Sequence, residues 1–463
     1  MPAARHKDPL SKRAAMEHKA AIPLLALLIL AGGLRWAVME WALPIKLIGD
    51  EAYYVDVATN LAREGVARSE DTRAWRPPAH PFLLSLVIPS GETREPSSPP
   101  GLHRMLLLQV GLGTAVVLLT FLLGRALFDH RTGLVAGALA AVYPNLVAFS
   151  HYLWSENLYA VTLLSGLLIV VRSQRRRGLA HAAAAGLAFG IGALTREAAL
   201  LVGAMAAAWW VATAAKPERS RAALKGALLC AVAVGCVVPW TIRNYRVLGR
   251  LVGVSTIGWF AAAEGNVLEE PNWMAVWGPK RASFKAAYLQ TPGELARMDL
   301  ARRYALQQIA AEQPAWVFKK LVRNVTQLFT LDSSLLYKMR FDAYGPLSRA
   351  TTTPLTALSV VPDIFLFLGG TLGVAAAGNN GRRLLPCLVV GSALVIHVLT
   401  AATVRYRIPW IPLFIIYAAR VIVVPSASLR SMCWTSWLAL AAIWVFFFAL
   451  CVPYSPEAYA ALF

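Results

Sequence analysis

Apolar residues in this chain fall into blocks about 18–25 residues long, the length that carries a helix across a bilayer. Lys and Arg crowd the gaps between the blocks. Few folds accept that alternation, and the pattern reads as an all-α polytopic membrane protein. Hydrophobic residues make up 57% and charged residues 15% of the 463, against about 45–50% and about 25% in an ordinary soluble domain. Mean hydropathy is +0.53. A soluble enzyme, a disordered chain and a fibrous protein are excluded. The net charge of +20 does not indicate nucleic acid, because its cations sit where membrane topology puts them.

The N-terminal tail, residues 1–19, carries Arg5, Lys7, Lys12, Arg13 and Lys19, and an apolar run follows from Ala20 to about Pro44. The run continues through Trp36 and Trp41 without a small-residue cleavage site, so it reads as a retained first span. Further spans are expected at about 103–124, 133–151, 154–171, 179–195, 198–214, 225–241, 354–376, 385–404, 408–424 and 433–452. With the first they make about 11. The joint at 133–171, where short spans are barely separated, sets the uncertainty of one either way. Arg172 and Arg175–Arg177, then Lys216, Arg219, Arg221 and Lys225, then Arg382 and Arg383, all fall on the side of the tail. The positive-inside rule makes that side cytoplasmic. Two outer-face segments remain, 45–102 and about 242–353, in one integral membrane unit over 1–463 with C-terminal spans from 354. Ser90–Gly101, rich in Pro and Ser, reads as a surface loop. The five cysteines, Cys230, Cys236, Cys387, Cys433 and Cys451, lie in apolar spans without metal-like spacing and read as packing residues.

The first outer segment begins Gly49-Asp50-Glu51-Ala52-Tyr53-Tyr54. A helix to about Glu64 with Gly65 as its C-cap is expected. Tyr54, Val57, Ala58 and Leu61 would share a face laid on the membrane surface. Asp50 has two readings, an N-cap and a general base at the membrane–water boundary. Further on, Trp75-Arg76-Pro77-Pro78-Ala79-His80-Pro81 forbids a regular helix before about Pro81. Arg76 is either a snorkelling surface cation or a grip for a lipid phosphate.

At this point the motifs acquire a resemblance. Arg35 inside the first span, then Asp50-Glu51 with Tyr54, then Arg76-Pro77, resemble the C-type (GT-C) glycosyltransferases, polytopic enzymes that use polyprenyl-phosphate-linked sugars. The branch that looks most similar holds the bacterial relatives of protein O-mannosyltransferases and of the lipid A aminoarabinose transferase. Tyr143-Pro144 with Ser155-Glu156, Gly190 to Arg196, Pro239 to Asn244 with Gly265-Asn266, and Arg405-Tyr406-Arg407-Ile408-Pro409 resemble further motifs of the family in order, over about 20–424. The resemblance implies that Asp50 is the catalytic carboxylate and that Arg76 contacts the donor phosphate. In the aminoarabinose branch an acidic residue precedes that cation and helps hold a metal. Here it is Trp75, and His80 alone does not restore the site, so a divalent metal is left open and no cofactor is assigned.

Arg35, Glu40, Glu156, Arg196 and Arg405 all fall at outer ends of spans in this threading. Charges there usually face a cavity or a partner; the alternatives are snorkelling for Arg35 and Arg405 and an ion pair of Arg196 with Glu156, while one shared outward-opening cavity accounts for all five. In the second outer segment, amphipathic helices are expected from about Gly293 to Glu312 and from Pro314 onward. In the second of these Val317, Leu321, Val325 and Leu328 share a face, opposite Lys319, Lys320 and Arg323, as in an interfacial helix whose cations meet lipid headgroups.

The expected activity is transfer of a sugar from a polyprenyl-phosphate donor to a lipid, glycan or protein acceptor, at the outer face of the cytoplasmic membrane, by inverting displacement. Asp50, Glu51 and Glu156 form the catalytic set. Arg76, Arg243 and Arg405 bind the donor phosphate. Tyr54, His80, Arg196, Asn244, Tyr406 and Arg407 line the cavity. Membrane lipids are the other partners, and no nucleic acid is expected. The rival is a transporter or flippase for a lipid-linked sugar, which would commonly show internal repeats that this sequence lacks. Sidedness is directly testable. A cysteine introduced within 91–99 is expected to label from outside in intact inner-membrane preparations, and one within 173–178 is not. Labelling of both from one side overturns the threading.

Overall fold

The computed structural model describes residues 9–43, 46–89, 101–174, 178–268, 278–378, 381, 384–430, 432–453 and 455. Arg5, Lys7, Arg175–Arg177, Arg382, Arg383 and most of the Ser90–Gly101 loop lie outside them.

All eleven apolar runs fold as helix. They begin with α1 (Pro9–Trp41), after which α2 (Asp50–Glu64) and α3 (Ala79–Ser85) form in the first loop. Then come α4 (Leu102–Leu127), α5 (His130–Val142), α6 (Pro144–Ala148), α7 (Glu156–Arg172), α8 (Ala180–Ala193), α9 (Ala198–Thr213) and α10 (Arg219–Leu248). The second loop carries α11 (Ile257–Gly265), α12 (Pro279–Gln290), α13 (Glu294–Ala311), α14 (Trp316–Phe329) and α15 (Ser334–Arg340). The chain closes with α16 (Arg349–Ala376), α17 (Leu384–Leu399), α18 (Ile411–Val423), α19 (Pro425–Arg430) and α20 (Trp434–Phe446). Six segments are long and apolar enough to cross a membrane: Ile22–Trp41, Leu102–Leu127, Lys216–Leu248, Arg349–Ala376, Val404–Val423 and Trp434–Cys451. The pair His130–Val142 and Pro144–His151, bent by 60°, makes a seventh. Ala180–Ala193, Ala198–Thr213 and Leu384–His397 are apolar but shorter. The protein is a multi-pass membrane protein.

The main core runs through α4, α5, α7, α8, α9, α17 and α18, with Phe121, Phe149, Phe189, Trp210 and Tyr417 almost wholly buried. Small residues let the helices approach. A Cβ on Gly186 of α8 would sit 2.7 Å from the Leu229 carbonyl of α10, and one on Gly133 of α5 would sit 2.7 Å from the Phe121 carbonyl of α4.

The bend at Tyr143-Pro144 explains Arg35. Proline has no N–H, so the Ala140 carbonyl loses its helical partner. Arg35, fully buried, donates to Ala140 O at 3.0 Å, Ala141 O at 2.8 Å and Ala31 O at 3.2 Å. Glu40 lies at the surface with Trp36 and His103. The shared cavity expected for five charges therefore receives neither of these two.

The second loop also departs from expectation. Helix α13 lies where the pattern puts it, but α14 starts at Trp316, two residues after Pro314. Its Val317, Phe318 and Leu321 are exposed, as an interfacial face would be, and Leu328 is buried. Lys320 and Arg323 do not face headgroups. They donate to the backbone carbonyls of Gly265 and Val267, at the end of α11. Lys319 is exposed and pairs with Glu312 at 2.8 Å.

Candidate active site

The site begins at the turn into α2. Gly49 takes φ +63, a region open to glycine at little cost, and swings the chain from α1 into α2. Asp50 is the first helical residue, and the cap position belongs to Gly49, with no side-chain cap bond. The N-cap reading of Asp50 is thereby corrected. Gly65, with φ 67, closes α2 as expected. The face carrying Tyr54 and Ala58 packs on Met39, Leu84, Met105, Leu106 and Leu153, so it rests on protein rather than on a membrane surface.

Arg76 is held by its backbone before its side chain is considered. Glu294, buried at the start of α13, accepts from Arg73 N at 2.6 Å and Ala74 N at 3.1 Å. It also accepts from Thr256 Oγ1 at 2.7 Å. Thr256 N donates to Ala74 O at 2.9 Å and Ile257 N to Trp75 O at 3.1 Å. Ala79 N donates to Leu194 O at 2.9 Å, and α3 starts there, earlier than the prolines suggested. The second loop thus fixes the segment before Arg76, and the end of α8 fixes the segment after it. The Arg76 guanidinium lies over Trp75 at 4.6 Å and donates to Asp50.

From Asp50 the charges alternate. Arg405 Nη1 donates to Asp50 Oδ2 at 2.7 Å, while its Nε and Nη2 reach the Glu156 carboxylate. Arg196 donates to the same carboxylate and lies over the Tyr406 ring at 5.1 Å. Arg405 lies over Trp154 at 4.1 Å. Three guanidiniums meet two carboxylates, leaving one positive charge in excess. Glu156 is sealed, but the side chains of Asp50, Arg76, Arg405 and Arg196 keep 13–21% of their surface. Nε of Arg76 and Nε of Arg196 are buried and without a hydrogen-bond partner among the described residues. Burial pushes the Asp50 carboxyl up, but Arg76 and then Arg405 outweigh it and hold it below the usual carboxylate range. The stability these pairs contribute is present at neutral pH and is lost only as pH falls through that lowered value.

Glu51 points away from this cluster. It is fully buried and accepts from Ile48 N and Leu153 N, each at 2.9 Å, and from Lys338 Nζ at 2.6 Å. Lys338, on α15, lies over the Tyr152 ring at 4.3 Å. Burial pulls its ammonium down more than Glu51 restores it. Glu51 therefore ties the start of α2 to the segment before Glu156, as a positioning residue. His80 is fully buried beneath Tyr54, 4.8 Å between ring centres, with Nε2 3.1 Å from Leu153 O. Burial pulls the imidazole down to about 4, so it stays neutral and supports the floor. Tyr54 reaches Ser155 Oγ at 3.4 Å.

Arg243, expected at the donor phosphate, and Asn244 and Arg407, expected at the cavity, bond elsewhere. Arg243 donates to Arg73 O at 2.8 Å and Ala67 O at 3.0 Å, bracing the segment before Arg76. Asn244 is buried against the Val252, Gly253 and Val254 carbonyls. Arg407 turns away to Leu328 O, Thr330 O and Asp363. Reading the sequence alone misses Glu294, Lys338 and Trp154. The partners that bring them to the site, Arg73 and Ala74 for Glu294, Glu51 for Lys338 and Arg405 for Trp154, lie far along the chain, and no local motif marks them. Among the described residues no three His, Cys, Asp or Glu side chains gather as metal ligands would.

The chain is also similar to known proteins. The family model described as dolichyl-phosphate-mannose-protein mannosyltransferase matches residues 101–242. No curated protein sequence matches the chain. The oligosaccharyltransferase AglB from Archaeoglobus fulgidus, in complex with an inhibitory peptide and a dolichol-phosphate, superposes with TM-score 0.52 at 13% identity, over 97% of this chain and 56% of that one. The apo form of the Archaeoglobus fulgidus enzyme gives 0.50 at 14% identity, over 95% and 56%. ArnT from Cupriavidus metallidurans bound to undecaprenyl phosphate superposes more loosely, 0.39 at 12% identity over 86% and 77%. The chain spans just over half the length of the oligosaccharyltransferases it matches. Its fold is the GT-C fold.

The Lys338–Glu51 pair gives a test of the frame. Lys338→Ala leaves a buried carboxylate unpaired and is expected to cost about 3–5 kcal/mol. The Glu51→Gln, Lys338→Met double variant is expected to lose less than the single one. Thermal unfolding in detergent checks both, and equal losses would contradict the pairing.

Proposed function

We propose that this protein transfers a sugar from a polyprenyl-phosphate-linked donor to an acceptor lipid, glycan or protein, at the outer face of the cytoplasmic membrane. The observation that carries the reading is the partly exposed network Arg76–Asp50–Arg405–Glu156–Arg196, with its excess positive charge. Buried guanidiniums with unused donors suit a phosphate, which they meet through charge-assisted bonds. The dolichol-phosphate bound to AglB, whose fold this chain shares over its length, supports the same donor class.

The geometry suggests how the donor would prime the catalyst. Without it, Asp50 occupies Arg76 and Arg405 and holds its proton affinity low. A donor phosphate entering the network takes those guanidiniums for itself. Asp50, released from two cations, regains the affinity that a general base needs. The acceptor's oxygen or nitrogen then attacks the anomeric carbon while Asp50 takes its proton. The bond from that carbon to the phosphate oxygen breaks, its electron pair goes to the phosphate, and Arg76 and Arg405 stabilise the growing charge. Glu156 keeps Arg405 and Arg196 in place. A single displacement inverts the anomeric centre.

The test is steady-state transfer by the purified protein, read as release of free polyprenyl phosphate. Asp50→Asn removes the base without removing a cap, since Asp50 makes no capping bond. It is expected to fold normally and lose transfer by about a hundredfold or more. Arg76→Lys should keep part of the activity and Arg76→Ala little, with losses in both donor dependence and turnover. An active Asp50→Asn variant, or near wild-type kinetics for Arg76→Ala, overturns the reading.

A further inference from the structure

Asp363 lies midway along α16, a helix long and apolar enough to cross a membrane. A carboxylate at such a place is costly and usually has a partner. It is buried together with Arg407, and Phe329, Leu366, Phe367, Phe414 and Phe447 line the space beside the pair. The transfer chemistry proposed for the site does not use it.

Its two oxygens serve two different segments. Oδ1 accepts from Tyr143 Oη and, at 2.9 Å, from Asn145 Nδ2, the residues on either side of Pro144. Asn145 is held by α16 a second time, because its Oδ1 accepts from Ser359 Oγ at 3.1 Å. Oδ2 of Asp363 accepts from Arg407 Nη2. Arg407 donates from Nη1 to Leu328 O at 3.1 Å and Thr330 O at 2.6 Å, at the end of α14.

Each of these segments carries one side of the Arg405–Glu156 pair. Arg407 stands two residues past Arg405 in the 3₁₀ segment Val404–Trp410. With three residues per turn, side chains two apart point about 120° away from each other. Arg405 therefore leaves the segment toward Asp50 and Glu156, and Arg407 leaves it toward Asp363. On the other side, the bend at Pro144 leads through α6 and the turn Phe149–His151 to Trp154 and Glu156. Asn157 Nδ2 donates back to Phe149 O at 2.8 Å and ties the start of α7 to that turn. Trp154, which lies against Arg405, and Glu156, which bonds it, are thus placed from the bend. Arg76 has a separate attachment, through Glu294 and Thr256 of the second loop.

We infer that Asp363 is a positioning residue for donor binding, which sets Arg405 against Glu156 and Trp154 by fastening Arg407 and the Pro144 bend to one point of α16. The inference rests on the transfer reading given above, in which Arg405 meets the donor phosphate. An apolar pair of similar volume is often as stable as a buried ion pair. What it cannot supply is a fixed direction for Arg407 and for Tyr143 at once. With Asp363 neutral, Arg407 loses its ionic tie to α16, and the segment that carries Arg405 loses its hold on the bend that carries Glu156.

Equilibrium binding of sugar-free polyprenyl phosphate tests this in two double-mutant cycles, with unfolding midpoints measured alongside. Arg405→Ala alone should bind at least about tenfold more weakly than wild type, and Asp363→Asn alone about tenfold more weakly. In the Arg405→Ala background, Asp363→Asn should cost less than about twofold, because the group that it misplaces is gone. In the Arg76→Ala background it should still cost about tenfold, because Arg76 is attached elsewhere. Equal losses in the two backgrounds would mean a general loosening of the fold and overturn the inference, as would unchanged binding by Asp363→Asn. If Asp363→Asn does not fold, Asp363→Asn with Arg407→Gln, which leaves no charge of the pair behind, takes its place in both cycles. If Arg405→Ala does not fold, Arg405→Gln takes its place. Wild-type affinity in the Arg405 variant sinks instead the reading in which Arg405 holds the donor phosphate.

Discussion

Arg405 joins Asp50 to Glu156, and the site is arranged around that guanidinium. It bonds one carboxylate at the start of α2 and another at the start of α7, and it lies over the Trp154 ring. Each partner has its own means of placement. Gly49 turns Asp50 inward, Glu51 and Lys338 lock the same turn from below, and Glu294 fixes the backbone before Arg76. Taking one cation from the chain Arg76–Asp50–Arg405–Glu156–Arg196 would leave each carboxylate that it bonded with a single cationic partner, which weakens the pairing that offsets burial. A site so constrained keeps its charges in place until an anion of matching geometry competes for them.

A second use of buried cations runs through the molecule. Arg35 serves the carbonyls freed by the Pro144 bend, and Arg281, Lys320 and Arg323 serve the end of α11. Arg407 serves Leu328 and Thr330, and Arg243 serves Ala67 and Arg73. Most of these backbone oxygens lie in buried or part-buried positions, where a polar group needs a partner, while the Arg243–Arg73 bond is exposed. These cations maintain the broken helices and loops that the site needs. Part of the large positive charge is therefore architectural.

This division explains what the sequence reveals and what it hides. Apolar runs mark the helices of the bundle, because lipid and core alike demand them. Asp50, Arg76, Glu156, Arg196 and Arg405 stand out as charges at the ends of those runs, and the fold brings them together. Arg35, Arg243 and Arg407 stand out for the same reason but bond to carbonyls, and Arg407 to Asp363 as well, since sequence shows a charge near an apolar run without showing what it faces. Glu51 follows Asp50 directly, yet one helical step of about 100° sends it to Lys338, far along the chain. Lys320 looked like a headgroup cation because the pattern of α14 is interfacial, and only the docking of α11 against it reveals its burial. Glu294 lies in a helix whose local pattern is ordinary.

The central claim is that Asp50 and a lipid phosphate compete for the same two arginines. Equilibrium binding of sugar-free polyprenyl phosphate to the purified protein tests it most directly, in wild type and Asp50→Asn. Without the competing carboxylate, Arg76 and Arg405 are free for the ligand, and Asp50→Asn should bind it at least about tenfold more tightly while failing to transfer sugar. Unchanged or weaker affinity in Asp50→Asn would contradict the account.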